Sequence, residues 1–244
     1  MLVSHRHLRG NVILSSLPGD AYARLEPLLK PVEFRQRQCV EAASKNIERV
    51  VFPFRGLLSA VAVSRNRRHE TEVGVIGREG MTGASLLLGA DRASLDIFVL
   101  MEGDGYCVCA KELRRLADEH PAIRTSFLKY LHTFFIQIAR TALANSRASL
   151  DQRVARWLLI AHDRVGDELQ LTHELLALML GVRRAGVTTA INQLERLGLI
   201  EASRGLIVII DRKGIEEHCQ GFYGQAERES TRWLPPLSAV NEVI

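Results

Sequence analysis

The sequence predicts an α+β protein made of an antiparallel β-roll, one long helix and a C-terminal winged helix-turn-helix. Three observations predict this. Short apolar runs broken by glycine and charge fill Pro31–Cys109, a stretch without glycine or proline follows Pro121, and two amphipathic segments flank Gly181. The expected boundaries are residues 17–119 for the roll, 120–147 for the long helix, 150–221 for the winged helix-turn-helix and 222–244 for a loosely held tail.

The composition is that of an ordinary globular chain, 47% hydrophobic and 25% charged. The net charge of +4 and the pI of about 9.0 are compatible with nucleic acid but do not indicate it, because so small an excess steers weakly. The apolar runs are too short to span a bilayer, and the N-terminal run is too short for a signal peptide. We therefore expect a cytoplasmic protein without a membrane partner.

The roll is predicted from four short runs that are rich in β-branched and aromatic residues: VVFPFRGLLSAVAVS, ETEVGVIG, SLDIFVLMEG and GYCVCA. Short strands at this spacing are typical of a small antiparallel barrel or roll. The basic cluster Arg65–His69 lies between the first two runs and is interpreted as a hairpin tip, where charge is usually solvated.

The long helix begins at Pro121, since proline is tolerated in the first helical turn. Phe127, Leu131, Phe134 and Ile138 repeat at spacings of four, three and four, which is a coiled-coil seam. We interpret these four residues as the interface of an isologous homodimer. The alternative is a helix that packs only against its own domain.

The helix-turn-helix is predicted from two helices joined by a glycine turn. Thr172 is a good N-cap for the first helix, and Gly181 ends it because glycine adopts the left-handed conformation without steric cost. The second helix has Val187 and Ile191 on its apolar face. Two apolar strands around the tip at residues 203–205 then predict a winged hairpin.

The second helix opens with GVRRAGVTT, a small and basic stretch that suits insertion of its N-terminal end into the major groove. Small residues there would let the backbone approach the bases. Arginine can donate two hydrogen bonds to guanine, and threonine can contact base edges or a thymine methyl group. The predicted base contacts are Arg184 and Thr189 first, then Thr188 and Asn192. The predicted phosphate contacts are Thr172, His173, Arg183 and Arg204.

Together, LDQRVARWLL and LTHELLALMLGVRRAGVTTAINQLERLGLIEASRGLIVI resemble the Crp/Fnr superfamily of bacterial transcription regulators, over roughly Leu17 to Cys219. The resemblance implies a cyclic-nucleotide-binding-like roll and a dimer that reads a pseudo-palindromic operator in double-stranded DNA. The family's recognition helix typically reads Arg-Glu-Thr-Val-x-Arg. Here Arg184 and Val187 match, whereas Ala185 and Thr189 replace the glutamate and the second arginine, so the operator differs from the family's usual one.

The resemblance also implies an effector pocket in GREGMTGASLLLGADRASLDIFVL. Members that bind cyclic AMP use a glycine-glutamate pair for the ribose and an arginine-serine pair for the phosphate. Gly83 fits the glycine but Ala84 replaces the carboxylate, which would leave a ribose hydroxyl unpaired. The candidate pocket residues are Gly83, Ala84, Ser85, Arg92 and Ser94. We expect no cyclic AMP binding; an unknown effector and a cyclic-nucleotide response stay open as alternatives.

No cofactor or metal is predicted. No cysteine precedes Cys39, which excludes the iron–sulfur branch of the family, while haem ligation by His5, His7 or Cys39 stays open. The sequence has no metal or phosphate-loop motif, and its helical histidines lack a serine or cysteine at a useful spacing, so an enzyme is not expected. The resemblance leaves RNA polymerase open as a further partner. The remaining alternative is a small-molecule-binding or protein-interaction module that does not bind DNA.

Overall fold

The structure is a computed structural model that describes residues 10–233, and it has the α+β fold class that the sequence predicts. The helices are α1 (Val12–Ser16), α2 (Gly19–Leu25), α3 (Ala84–Leu87), α4 (Ala110–Glu119), α5 (Pro121–Arg147), α6 (Leu150–Val165), α7 (His173–Leu180), α8 (Arg184–Arg196), α9 (Arg212–His218) and α10 (Gln225–Trp233). The strands are β1 (Lys30–Phe34), β2 (Cys39–Glu41), β3 (Arg49–Pro53), β4 (Leu57–Val63), β5 (Glu70–Ile76), β6 (Asp96–Met101), β7 (Gly103–Cys109), β8 (Glu168–Leu169), β9 (Ile200–Ser203) and β10 (Leu206–Ile209). Within residues 10–233, no helix has both the length and the apolar character needed to cross a membrane.

The roll consists of two antiparallel sheets around one apolar core. Its sheets have the strand orders β1-β7-β3 and β2-β6-β4-β5. Side chains such as Phe52, Leu58 and Ile97 lie in the shared core, and burying a side chain of this size stabilises a protein by roughly 1.5–3 kcal/mol. The basic cluster Arg65–His69 joins β4 to β5, which pair antiparallel, so the predicted hairpin is confirmed.

The roll begins earlier than the boundary expected at Leu17. The Asn11 side chain caps α1 by accepting hydrogen bonds from two backbone N–H groups, and its amide donates to the carbonyl oxygens of Pro53 and Gly80 at 2.9 and 2.8 Å. The three residues after it, Val12 to Leu14, are buried in the roll core. A fully buried, fully bonded asparagine therefore fastens α1 to the domain, which moves the observed start of the roll to about Asn11.

The predicted dimer seam on α5 needs a correction. Phe127 is 0% exposed, and Leu131 and Phe134 are also buried, all within the core of the roll of the same chain, with Ile138 packed against them. The repeat of four, three and four residues correctly predicts an apolar face on α5, but a repeat does not determine which surface packs against that face. The large apolar residues that α5 leaves exposed are different ones: Leu128, Phe135 and Leu143, with Phe135 68% exposed.

The winged helix-turn-helix has its own core, built from α6, α7, α8 and a small sheet of strand order β8-β10-β9. A capping box between Ser149 and Gln152 begins α6, satisfying two helix-terminal N–H groups reciprocally. Leu158, Ile191 and Ile207 are among the residues that lie in the core. These elements hold α8 at the surface with one face buried.

The tail is not loosely held over its described part. Residues 225–233 form α10, which packs against α5. The chain before it is anchored as well: Arg156 donates to the carbonyl oxygen of Phe222 at 3.1 Å, and Tyr223 bonds Arg212 and Asp163. The remainder of the predicted tail, residues 234–244, lies outside the described residues, as do the candidate haem ligands His5 and His7.

The roll and the helix-turn-helix are packed directly on each other. Leu57, Val75, Leu100 and Met101 of the roll belong to the same apolar cluster as the side chains of α6 and α7. Polar contacts cross the same junction and are described below. The position of α8 relative to the roll is therefore determined by a shared core and not only by the chain connection through α5.

Candidate nucleic-acid interface

The first helix of the motif begins and ends as the sequence predicts. The Thr172 hydroxyl accepts a hydrogen bond from the N–H of Leu175 at 3.2 Å, which caps α7. Gly181 ends α7 with φ of 63°, in the left-handed region, and its N–H and that of Val182 bond back to α7 carbonyls. The turn leaves only residues 181–183 between α7 and α8.

The second helix, α8, divides into a buried and an exposed face. Val187, Ala190, Ile191 and Leu194 are buried in the core of the domain. The opposite face presents Arg183, Arg184, Thr189 and Asn192, all exposed; we call these four side chains the recognition surface. An N-cap arginine and a second arginine at the first helical position add positive charge where the helix dipole already favours anions.

Thr188, a predicted base contact, lies partly inside the motif. Its hydroxyl lies 3.0 Å from Nδ1 of His173 and donates to the carbonyl oxygen of Arg184 at 3.2 Å. Thr188 therefore links the two helices and orients the His173 ring. The contact leaves Nε2 of His173 on the other side of the ring, and the base contact of Thr188 stays a prediction.

One small residue of this helix, Gly186, lies at a contact between two helices. A Cβ atom on Gly186 would lie 2.8 Å from Cδ2 of Leu150, at the start of α6. Gly186 therefore allows α8 to pack closely against α6, and the approach of the α8 backbone to DNA stays a prediction. Ala185 is exposed, and its short side chain projects little from the surface of α8.

The wing is a hairpin of β9 and β10 whose strands pair in register from Leu206↔Ser203 to Ile209↔Ile200. Its tip carries the exposed Arg204, and Gly205 has φ of 79°, a conformation that a tight turn takes most readily at glycine. The predicted phosphate contacts thus lie on three separate pieces of the motif, at the start of α7, the start of α8 and the wing tip.

Residues 83–94, which we call the effector segment, are arranged very differently. The N–H of Gly83 donates to Oε1 of Glu41 at 2.6 Å, so a carboxylate from β2 already occupies the N-terminal end of α3. Burial raises the pKa of Glu41, and hydrogen bonds from Thr82 and from the Gly83 N–H oppose that shift. Sequence reasoning missed Glu41, because β2 lies about 40 residues before the segment that it contacts.

The hydroxyl groups of the effector segment are also engaged within the chain. Ser85 and Ser94 share a hydrogen bond of 2.9 Å, and the N–H of Ser94 donates to the Ser85 hydroxyl at 3.2 Å. Arg92 is exposed and reaches the carbonyl oxygen of Ser44 at 3.4 Å. Gly83 has φ of 76°, and a Cβ there would lie 2.5 Å from Val50. The predicted pocket residues are brought together, but largely bonded to one another and to the roll.

The junction between the roll and the motif contains two buried carboxylates. Glu72 of β5 accepts a hydrogen bond from Nε1 of Trp157 at 2.6 Å and another from Ser59 at 2.5 Å. Burial raises the pKa of Glu72 to about 7, against the opposing effect of these hydrogen bonds and of Arg156 and Arg164. Glu79 forms a buried ion pair with Arg164 of α6 at 2.7 Å. Within residues 10–233, no cluster of histidine, cysteine or acidic residues is arranged to hold a metal ion.

Comparison with known proteins identifies the motif and the fold. Residues 152–218 match the family model of the Crp-like helix-turn-helix domain. FixK2 from Bradyrhizobium japonicum has a similar structure, with a TM-score of 0.65 and 15% identity over 78% of this chain and 96% of FixK2. The c-di-GMP responsive global regulator CLP from Xanthomonas campestris gives a TM-score of 0.64 and 16% identity over 79% of this chain and 99% of CLP.

TTHA1359, a transcriptional regulator of the CRP/FNR family from Thermus thermophilus, gives a TM-score of 0.62 and 21% identity over 79% of this chain and 99% of TTHA1359. A comparison with curated protein sequences gave no match. The structural likeness spans both the roll and the helix-turn-helix, and the family model covers α6 to α9. The C-terminal part of the chain is therefore similar to the Crp-like helix-turn-helix domain, and the chain as a whole has the fold of the Crp/Fnr transcription regulators that its sequence resembles.

Proposed function

We propose that the protein is a homodimeric, sequence-specific DNA-binding transcription regulator. The observation that carries the proposal is the recognition surface: two arginines, a threonine and an asparagine are exposed together on a helix whose other face is buried. In a helix-turn-helix this helix enters the major groove with its N-terminal residues on base edges. The match to the Crp-like helix-turn-helix domain supports the same conclusion.

The exposed side chains divide into two roles. Arg184, Thr189 and Asn192 lie on the outer face of α8, where they reach base edges; arginine favours guanine, and asparagine favours adenine. Arg183, Arg204 and the start of α7 with Thr172 and His173 surround that face and contact phosphates, which positions the domain without reading sequence. Thr188 supports this arrangement by holding the His173 ring.

The dimer uses the face of α5 that its own roll leaves uncovered. The exposed residues of this face repeat at spacings of three and four: Thr125, Leu128, His132, Phe135, Ala139 and Ala142. That repeat is a coiled-coil seam with Leu128 and Phe135 as its large apolar members. Two copies joined along this seam would present two recognition helices about 34 Å apart, one duplex turn, and would read a pseudo-palindrome.

The sensor function of the roll does not use cyclic AMP. Two features support this: Ala84 supplies no carboxylate, and the polar groups of the effector segment already bond within the chain, through Glu41–Gly83 and Ser85–Ser94. A nucleotide would have to break these bonds before it formed its own. An effector of another class would act by binding the DNA-competent arrangement better than the other arrangements.

The experiment that tests the proposal is selection of bound sequences from a pool of random duplexes by the full-length protein. We expect enrichment of an inverted repeat with half-sites about one helical turn apart, and binding that weakens steeply as salt is raised. Enrichment without symmetry would contradict the dimer. Absence of salt-dependent retention on any duplex would contradict DNA binding and leave a protein-interaction module. Calorimetry with cyclic AMP and cyclic GMP completes the test, since saturable micromolar binding would contradict the effector part.

A further inference from the structure

We propose that the β4–β5 hairpin tip, residues Arg65–His69 of the roll, is a second DNA-contact site that binds the phosphate backbone beside each recognition helix. The proposal rests on the proposed function, since it extends the same DNA-binding surface onto the other domain. It assigns to the roll a direct part in DNA binding, besides any part in sensing.

The hairpin is fixed to the helix-turn-helix by several contacts along β4 and β5. The hydroxyl of Ser59 lies 3.2 Å from the Met179 sulfur of α7, and Glu72 holds Trp157 of α6. Further toward the tip, the Thr71 hydroxyl lies 3.7 Å from the position of a Cβ on Gly181. The hairpin and the motif are therefore packed against each other along β4 and β5.

The same contacts give the direction of the tip. Met179 touches the hairpin near Ser59, and Gly181, two residues later, touches it at Thr71, one residue after β5 begins. The C-terminal end of α7 thus points along the hairpin toward its tip, and α8 begins three residues after Gly181. Thr71 is three residues from Arg68, about 10 Å of extended chain. The tip is therefore on the side where α8 begins, the end that enters the groove.

The tip is ordered and its free charge is positive. Arg67 has φ of 54° and pairs at 2.5 Å with Asp96, whose side chain is 0% exposed, so Arg67 anchors the turn and is neutralised. Ser64 closes the turn by bonding His69 through backbone and side chain. Arg65 and Arg68 are exposed and have no carboxylate partner within residues 10–233. Glu70, at the start of β5, offsets part of this charge.

The chemistry of the tip fits phosphate. A shallow concavity of about 550 Å³ is lined by Ser64, Arg65, Asn66 and His69, and Arg68 is next to these residues in the chain. The side chains of Arg65, Asn66 and His69 can donate hydrogen bonds there, while the Ser64 hydroxyl bonds Oδ1 of Asn66 at 2.8 Å. Arginine pairs with phosphate oxygens through two donors. Through the approach of Thr71 to Gly181, the hairpin also lies next to the turn that leads into Arg183 and Arg184. These observations favour a duplex backbone over an acidic protein as the occupant.

The test compares Arg65→Gln/Arg68→Gln with a control, Arg24→Gln/Arg115→Gln, which removes the same charge from exposed arginines on α2 and α4. Binding to the selected operator and to a scrambled duplex is followed by fluorescence anisotropy between about 50 and 200 mM salt. Losing two phosphate contacts per half-site lowers the magnitude of the slope of log affinity against log salt by about 2 for each half-site, or about 4 for the dimer. The affinity of the wild type relative to the hairpin variant then falls by about tenfold per half-site as salt is raised from about 50 to 200 mM.

The expected result is a uniform loss on both duplexes for the hairpin variant, an unchanged sequence preference, and wild-type behaviour for the control. Arg65→Glu/Arg68→Glu should weaken binding further, and equal thermal midpoints would show that the fold is intact. The proposal would be overturned if the hairpin variant had the same slope of log affinity against log salt as the wild type. If that variant also lost transcription control, the tip would be assigned to a protein partner instead. If the proposed function were wrong, the wild type itself would show no salt-dependent binding.

Discussion

The recognition surface and the effector segment carry similar polar side chains but differ in what those side chains contact. On α8, Arg184, Thr189 and Asn192 are exposed, and the guanidinium and amide groups remain able to bond a ligand. The Thr189 hydroxyl donates to the carbonyl oxygen of Ala185 at 3.1 Å and can still accept a hydrogen bond. In the effector segment, Gly83 is bonded to Glu41 and Ser85 is bonded to Ser94. Binding at the first surface forms new hydrogen bonds, whereas binding at the second must first replace existing ones.

This difference teaches that residues which resemble a family's ligand motif can be hydrogen-bonded within the chain itself. The effector segment keeps the glycine and the serine that the resemblance implies. The structure uses them to connect β2, α3 and the strand that follows, and so to stabilise the roll. In the helix-turn-helix, the hydroxyl groups of Thr188 and Thr189 also bond within the chain, to His173 and to the carbonyl oxygens of Arg184 and Ala185. The side chains of Arg184 and Asn192 are exposed.

The largest effect is expected at the junction between the roll, which carries the effector segment, and the helix-turn-helix, which carries the recognition surface. Arg164→Met leaves Glu79 buried without its cation, and we expect the free energy of unfolding to fall by about 3–5 kcal/mol in urea titrations. The double variant Glu79→Gln/Arg164→Met should recover much of that loss because no unpaired charge is left buried. Equal destabilisation by the single and the double variant would show that packing, not charge, dominates at this contact.

The second prediction concerns pH. Because the pKa of Glu72 is raised to about 7 in the folded state, its protonated form is preferred there, and the stability it contributes is present below its ordinary pKa and is lost as pH rises toward 7. This loss amounts to roughly 3 kcal/mol. Glu72→Gln stays neutral and keeps a partner for Trp157, so its unfolding free energy should fall less between about pH 5 and 8. Parallel pH curves for the two proteins would contradict the assignment.

The third prediction sharpens the role of the recognition surface. Arg184→Ala should lower specific DNA binding by about 1–3 kcal/mol and relax the choice at one base pair. The matched control is Arg196→Ala, which removes the same charge at the far end of α8, where the side chain folds back onto the carbonyl oxygen of Asn192. Binding to a set of single-base operator variants measures both. A loss for Arg184→Ala that is equal on every sequence would assign it to phosphate.

The smallest effect is expected at the effector segment. Ser94→Ala removes the bond to Ser85 and should cost about 0.5–1.5 kcal/mol of stability. Because we assign this hydroxyl to the roll and not to a nucleotide, the loss should be the same with and without millimolar cyclic AMP. Thermal unfolding of both proteins, each with and without the nucleotide, checks this. If cyclic AMP raised the thermal unfolding midpoint of the wild type and Ser94→Ala abolished that rise, Ser94 would be assigned to nucleotide binding.

Local rules were sufficient for the DNA-binding motif. The cap at Thr172, the left-handed Gly181 and the buried Val187 depend on residues within a few positions of each other, and each is observed as predicted. The dimer interface on α5 could not be predicted in this way, because a heptad spacing identifies an apolar face but not the surface that packs against it. Phe127 turned out to face its own roll, and the neighbouring stripe with Phe135 was left exposed.

Contacts between distant segments could not be predicted at all. Glu41 approaches Gly83, and Glu72 approaches Trp157, across 42 and 85 residues of chain. No pattern within a single element carries that information, since it depends on how β2, β5 and α6 come together in three dimensions. The same holds for Gly186, whose missing side chain is explained only by Leu150 of another helix.

The bond between Trp157 and Glu72 also gives the molecule an optical probe of its own. The chain has two tryptophans, and the other, Trp233, is the last residue of α10. In a Trp233→Phe variant, all indole emission would come from a ring sandwiched between the two domains with its N–H on a buried carboxylate. Any effector that separates the domains would hydrate that ring and shift its emission to longer wavelength, so fluorescence could screen for effectors without a label or a DNA target.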